Sequence, residues 1–404
     1  MAKTHGAGAY LYTAGTDPVG SARAGHPVGG PVGGGLGYQH YYNPADFGTL
    51  AHRVKSDSEL KAALAIATAG HLVWIESSFS VPACGKDARS GVILKTGAIL
   101  ASGRGRSGAP VVTFAGTLGD HWVHPQANTR ISGISIQGDN KLGSSYPAFS
   151  CLSYSGQQFE NLWIRDVGWG WMVWGANGAD WDGTKWNAAT PYIHHCDMAG
   201  ARHAGGNDSY GVQVGETTGG FLLEACILDD CRHITMCKPG LPENNGGSQY
   251  EVAYCDIGDC MGYNGVQHQI DWHGNGCSGY GAQWSGYRVA CRYSHIHYNT
   301  FSANAGASNC CMRGLVVESC EVDHNWTKKT DHSGVWPANG ADEVANSSLA
   351  RLAAEENGTW ECEMNKPKYN YHAHDNWWGL SEPPEGAAPP LRRLAAAVAV
   401  MERR

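Results

Sequence analysis

Three hydrophobic positions at offsets 0, 3 and 5 recur along this chain and constrain its architecture more than any other feature. They are Ile131/Ile134/Ile136, Phe159/Leu162/Ile164, Ile193/Cys196/Met198, Leu223/Cys226/Leu228, Val252/Cys255/Ile257 and Val317/Cys320/Val322. Successive first members lie 28, 34, 30, 29 and 65 residues apart, and the last gap is wide enough for two copies. Each copy reads as one supersecondary unit that buries its apolar side by stacking on its neighbours, which defines a solenoid. A helical solenoid would need long stretches of 3.6-residue periodicity in every repeat. Here the cores are short, rich in β-branched and aromatic residues, and broken by Gly, Asn and Asp. The pattern predicts an all-β chain wound as a right-handed parallel β-helix.

A solenoid escapes the usual size limit on a single hydrophobic core, so the 404 residues form one elongated domain. The 55 glycines and 16% charged residues suit tight turns between short strands. No apolar run approaches the roughly 20 residues that span a bilayer. A net charge of −8 argues against broad nucleic-acid binding, which calls for a basic excess. It leaves room for an anionic sugar, which needs only a local basic cleft.

Three segments follow along the chain. Residues 1–37 are Gly-, Ala- and Pro-rich with little apolar periodicity, and read as an extended arm that must lie against something else to be ordered. They lack the pattern of a secretory signal. Residues 38–379 carry the β-helix. Ser56-Asp57-Ser58-Glu59 predicts a capping box, Leu60, Ala63, Leu64 and Ala67 form the apolar stripe of a short helix ending at Gly70, and His71 to Ile75 is a strand. Such a helix covers the open end of a β-helix, where core and backbone would otherwise be exposed. Residues 380–404 form a Pro/Ala-rich tail with a short helix expected from Leu391 onward.

The Glu59-Leu60-Lys61-Ala62-Ala63-Leu64 helix, the Val73-Trp74-Ile75 strand and the Leu100-Ala101-Ser102-Gly103-Arg104-Gly105 segment resemble the start of right-handed β-helix proteins of the pectate-lyase-like superfamily. Tyr210-Gly211-Val212-Gln213-Val214-Gly215, Asp230-Cys231-Arg232-His233, Ser248-Gln249-Tyr250-Glu251 and Asp271-Trp272-His273-Gly274 are similar to segments of uncharacterised extracellular bacterial and archaeal members. Asn376-Trp377-Trp378-Gly379 resembles their closing phrase. The resemblance spans roughly residues 50–379 and implies an extracellular or cell-surface protein acting on polysaccharide, with calcium as a cofactor if it is a lyase. Two named activities do not transfer. Of the polygalacturonase motifs only the acidic pair Asp229-Asp230 is present, and the Arg-x-Pro-x-x-Arg segment of the calcium pectate lyases is absent. Fold does not dictate function.

Cys196, Cys226, Cys255 and Cys320 share one offset of the repeat. Equivalent positions in adjacent coils lie about 4.8 Å apart, so a buried, mostly reduced ladder is expected, with Cys231, Cys260 and Asn325 hinting at a second. Metal ligation by cysteine is disfavoured because no Cys-x-x-Cys pair exists. His295-x-His297 and His372-x-His374 put both rings on one side of a strand, a spacing compatible with a metal and equally with ordinary exposed strand positions. No metal is assigned from these pairs.

A sharper constellation combines Arg232, His233, Glu251, Asp271 and His273. Stacking of neighbouring coils could gather them in one groove. Glu251 and Asp271 would supply a carboxylate pair for hydrolysis; alternatively a His or Tyr base beside an arginine would serve β-elimination from a uronate. Tyr250, Tyr263, Trp272, Tyr280 and Trp284 would offer faces for pyranose rings, and the stretch between Cys260 and Tyr293 would wall the groove. The contrary reading makes all of these turn and surface residues of a structural solenoid. The sequons at Asn207, Asn325, Asn346 and Asn357 favour export only slightly, and Gly103 to Gly108 reads as a turn.

The sequence thus predicts a polysaccharide lyase or glycoside hydrolase. One alternative is a noncatalytic surface, sheath or filament subunit whose arm docks on the next copy, a heterologous contact that grows open-ended. Another is a viral tailspike-like polysaccharide-binding protein.

Overall fold

A computed structural model describes residues 10–12, 30–84, 92–116, 118, 121–138, 147–152, 154–174, 187–201, 209–214, 219–237, 248–258, 268–272, 291–301, 312–314, 316–323, 325–327, 371–374, 377–378 and 392–393. Three parallel sheets hold most of the described strands. Among the described residues, sheet I has eleven strands from Ala51–Val54 to Tyr371–His374, sheet II has ten from Phe79–Val81 to Trp377–Trp378, and sheet III has six from Pro147–Leu152 to Met312–Gly314. From Arg130–Ser132 to Trp326–Thr327 the described strands visit sheets I, II and III in strict succession, so each circuit is one coil. This is the parallel β-helix that the triplet repeat predicts.

The triplets mark one edge of the coil. Offset 0 lies on sheet I and offset 5 on sheet II, in unbroken register: Ile131 pairs with Phe159, Phe159 with Ile193, Ile193 with Leu223, and Leu223 with Val252. All of these side chains are fully buried. The bend between the two sheets is a single left-handed residue, occupied in turn by Gly133, Asn161, His195, Ala225, Tyr254 and Tyr298, each with φ between 51° and 65°. Five of the six are not glycine. The cost of about 1–2 kcal/mol for each such residue is carried by the coil stacked on either side, whose carbonyls accept the corner N–H groups.

Offset 3 carries the ladder, and here the structure corrects the sequence. Val252 pairs with Ile296 and Ile296 with Val322, so the later coils read Ile296/Asn299/Phe301 and Val322/Asn325/Thr327. The wide gap does hold an extra coil. Cys320 instead pairs with Ser294 and lies outside the ladder, and Asn325 belongs to the first ladder rather than a second. The hydrophobic criterion missed these coils because asparagine replaces cysteine at the middle position.

The substitution is chemically continuous. The Cys196 N–H donates to Cys226 Sγ and the Cys226 N–H to Cys255 Sγ, both at 3.4 Å. The Cys255 N–H then donates to Asn299 Oδ1 at 2.9 Å, and the Asn299 N–H to Asn325 Oδ1 at 3.0 Å. Each thiol donates back to a carbonyl two residues earlier, at 3.2 Å. Burial pushes the Cys196 and Cys226 thiols well above their ordinary range. They are protonated hydrogen-bond relays, and the six cysteines whose side chains are described are all free.

The capping helix spans Asp57–Ile66, with Ser56 Oγ accepting from the Glu59 N–H and Glu59 reaching back to the Lys55 N–H. Leu60, Ala63, Leu64 and Ala67 face the core, as their spacing predicts. The described end of the arm docks on its own chain. The Gly33 N–H donates to the Ala225 carbonyl at 2.8 Å and the Gly35 N–H to Asn161 Oδ1 at 2.7 Å, so the segment crosses one corner per residue. A Cβ on Gly34, whose φ is +69°, would lie 2.3 Å from the His195 carbonyl oxygen. That close approach explains the run of glycines. Nearer the first coil, Tyr38 Oη donates to Glu160 Oε2 at 2.6 Å and His40 Nδ1 lies 2.8 Å from the same oxygen. In the tail, Arg392–Arg393 is a strand paired with Tyr10–Tyr12, where a helix was expected.

Candidate functional site

Strand alternation sends Tyr250 and Val252 into the core and Gln249, Glu251 and Ala253 to the outer face of sheet I. Tyr250 is fully buried and stacks on Phe221, with ring centroids 5.0 Å apart. It is a core residue and not a sugar platform. Glu251 sits on the outer face in register with Leu222 before it and His295 after it.

Glu251 is the hub of this face. His297 Nε2 lies 2.6 Å from Glu251 Oε1, and His295 Nδ1 lies 3.9 Å from the same oxygen. The two imidazoles stack with centroids 3.7 Å apart and an interplanar angle of 11°. Their relative side-chain exposures differ in a way that assigns roles: 17% for His295, 4% for Glu251 and 1% for His297. His295 is the group that meets solvent, with Glu251 and His297 held beside and behind it.

Aromatic residues line the approach. Tyr254 and Tyr298, at the corners of two successive coils, stack at 5.2 Å with planes 5° apart, and Tyr298 lies 5.3 Å from the His297 ring. Tyr254 and Tyr293 pack in one apolar cluster with Val32 of the arm, Leu222 and Ala253. The arm therefore borders the site.

The acidic and imidazole character extends along the sheet. In register, one row of sheet I positions runs Glu160, His194, Glu224, Ala253, His297, Asp323, His374, and the neighbouring row runs Tyr192, Leu222, Glu251, His295, Glu321, His372. Tyr192 Oη donates to Glu224, which is fully buried.

The predicted constellation is divided between sheets. Arg232 and His233 lie at the start of a sheet III strand, where His233 is buried with its ring stacked 5.4 Å from Tyr210 and Arg232 Nη1 donates to Tyr210 Oη at 3.2 Å. Asp271 is also on sheet III, paired with Met236 and Arg313. Trp272 is on the same sheet, paired with Cys237 and Gly314. Glu251 and Asp271 thus belong to different sheets. His273, Tyr263, Tyr280 and Trp284 lie outside the described residues. The stretch expected to form one wall contains the strand His268–Trp272 and the start of Cys291–His297.

The sequence reading left out His295 and His297 as site residues, together with Tyr254 and Tyr298. The signal was present in the His-x-His spacing. It became informative only with the coil at Ile296 in place, because that coil sets His295 beside Glu251.

No protein-family profile and no curated protein matches the sequence. Among solved structures the chain is similar to an alginate lyase from Paenibacillus sp. str. FPU-7, at 12% identity over 72% of this chain and 96% of that one, with a TM-score of 0.40. It is also similar to a mutant tailspike protein of E. coli bacteriophage HK620 in complex with a pentasaccharide, at 10% identity, 76% and 68% coverage, and a TM-score of 0.35. A PL6 family polysaccharide lyase from Pseudopedobacter saltans gives 13% identity, 85% and 96% coverage, and a TM-score of 0.33. The fold assignment stands on the strand register itself. No helix of the described residues is long and apolar enough to cross a membrane.

Proposed function

We propose that the protein is an extracellular carbohydrate-active protein that takes an extended acidic polysaccharide along the outer face of sheet I and cleaves it beside His295. The observation that carries this reading is the Glu251–His295–His297 cluster: a buried carboxylate held by one buried imidazole and adjoining a second that reaches solvent. A parallel sheet presents a long straight face, which suits a polymer. His295 is placed to move a proton at the sugar, and the Glu251 carboxylate stabilises its protonated form. Tyr298 supplies a ring face for a pyranose. An imidazole base suits β-elimination from a uronate, whereas a hydrolytic carboxylate pair would have to draw on the acidic positions in register, Glu321 and Asp323, because Asp271 is on another sheet.

The polysaccharide partner and the export it requires are parts of this same proposal. Arm-mediated assembly is the weaker reading, because Gly33 and Gly35 at the described end of the arm already bond to their own chain. The test is a panel of uronate and neutral polysaccharides, reading unsaturated ends by ultraviolet absorbance and reducing ends chemically. Unsaturated products lost in His295→Ala support the reading. A chain that binds none of the polymers, or cleaves one equally well without His295, overturns it.

A further inference from the structure

The geometry points to a second property of the same cluster: Glu251, His295 and His297 form a binding site for a borderline transition-metal ion of the zinc or cobalt type. One ligand atom from each of the three side chains lies within 4.8 Å of the others. They come from two hydrogen-bonded strands, Ser248–Ala253 and Cys291–His297, and the His-x-His alternation turns both imidazoles to one face.

An ion held at about 2.0–2.2 Å from nitrogen and oxygen ligands separates those ligands by roughly 3.3–3.5 Å. The Glu251–His297 and Glu251–His295 separations of 2.6 and 3.9 Å bracket that value. Insertion of an ion replaces the short Glu251–His297 contact and requires side-chain adjustment rather than backbone movement. Rigid parallel strands hold the two histidines, which is the placement a preorganised site needs.

The donor set decides the metal. Calcium takes six to eight oxygen ligands in a flexible cage, and a carboxylate with two imidazoles does not fit it. Two imidazoles and one carboxylate are a zinc-type donor set with a position left open. The next strand adds acidic positions in register, Glu321 beside His295 and Asp323 beside His297. The calcium expected from the family resemblance thus has no counterpart in this cluster.

The inference does not depend on the sugar reading, and the experiment keeps the two apart. The full-length chain is stripped with a chelator and titrated with Zn²⁺ alone and with Co²⁺ alone, using equilibrium dialysis with metal analysis and the visible absorption of Co²⁺. Tight uptake of about one equivalent is expected, weakened at least ~10-fold in His295→Ala and in Glu251→Gln, with excess Ca²⁺ failing to compete. His295 is partly exposed and Glu251→Gln preserves volume, so both variants are expected to fold, which circular dichroism checks. A folded wild-type chain that takes up neither ion overturns the inference. So does wild-type affinity in both variants, which would assign the metal to other histidines among the 19. Polysaccharide binding is measured on the stripped chain, so its failure or success leaves the metal result intact.

Discussion

The early and late coils of this solenoid share one backbone plan and differ in what they do with it. From Ile131 to Ile164 the corner between sheets I and II is filled by aliphatic side chains, Ile134 and Leu162 standing at the middle position. From Cys196 to Asn325 that position is polar, with thiols relaying one hydrogen bond from coil to coil and asparagines relaying two. The outer face changes in parallel. In the early coils it is occupied by the segment that directly follows the arm, whose Tyr38 and His40 both engage Glu160. In the late coils it carries Glu251, His295 and His297, with the arm lying only at their border. A repeat fixes where side chains point and leaves their chemistry open, so the early coils receive the segment that precedes them and the late coils carry the candidate site.

This contrast can be broken in several ways. The largest effect expected is on turnover: His295→Ala should reduce polysaccharide cleavage by about 10²–10⁴-fold while the melting temperature stays put. A comparable loss in a variant of the early outer face, such as Gln158→Ala, would erase the distinction between the two regions.

Stability should show the reverse weighting. Asn299→Leu takes the Asn299 partner from the Cys255 N–H and the Val252 carbonyl in the core and leaves Asn325 Oδ1 with one of its two bonds from this residue, and is expected to cost about 2–5 kcal/mol. Cys226→Ala removes a weaker relay and a small volume, at about 1–2 kcal/mol. Equal denaturation midpoints for the two would show that thiol and amide ladders are equivalent. Gly34→Ala places a Cβ against the His195 carbonyl and strains the left-handed backbone, for about 2 kcal/mol. Its signature is arm cleavage by protease at concentrations that leave the coils intact.

The smallest effect concerns pH. The hydrogen bond to Glu160 raises the His40 pKa against the opposing pull of burial. A raised folded value means that the contribution is fully present below the unfolded value of about 6.5 and is lost as pH rises through the folded value. Arm protection should therefore fall from mildly acidic to alkaline pH in the wild type and be flatter in His40→Gln. Because His40 is substantially exposed, the change should be modest.

Much of this was legible in residue order. Offsets 0, 3 and 5 gave the coil, its register and the cysteine ladder, since burial forces apolar residues to repeat wherever coils stack. The helix over the open end was equally plain, from its capping box and stripe. The coil at Ile296 escaped because Asn299 satisfies the ladder by hydrogen bonding and leaves no hydrophobic mark. That one omission moved Cys320 into the wrong row and hid His295 from Glu251. Tyr250 was misread for a related reason: without register, an aromatic beside a carboxylate looks exposed, although alternation buries one and presents the other. The glycines of the arm announced an extended segment, but only their spacing against the corners at Ala225, His195 and Asn161 shows that it lies on its own chain.

The division of labour between coils is tested most directly by hydrogen exchange on the full-length chain with and without a uronate oligosaccharide. New protection should concentrate in the strands Ser248–Ala253 and Cys291–His297, leaving Arg130–Ser132 and Gln158–Glu160 unchanged. Protection confined to the early strands, or to the sheet III strand that begins at His233, would contradict the assignment of the site to Glu251, His295 and His297.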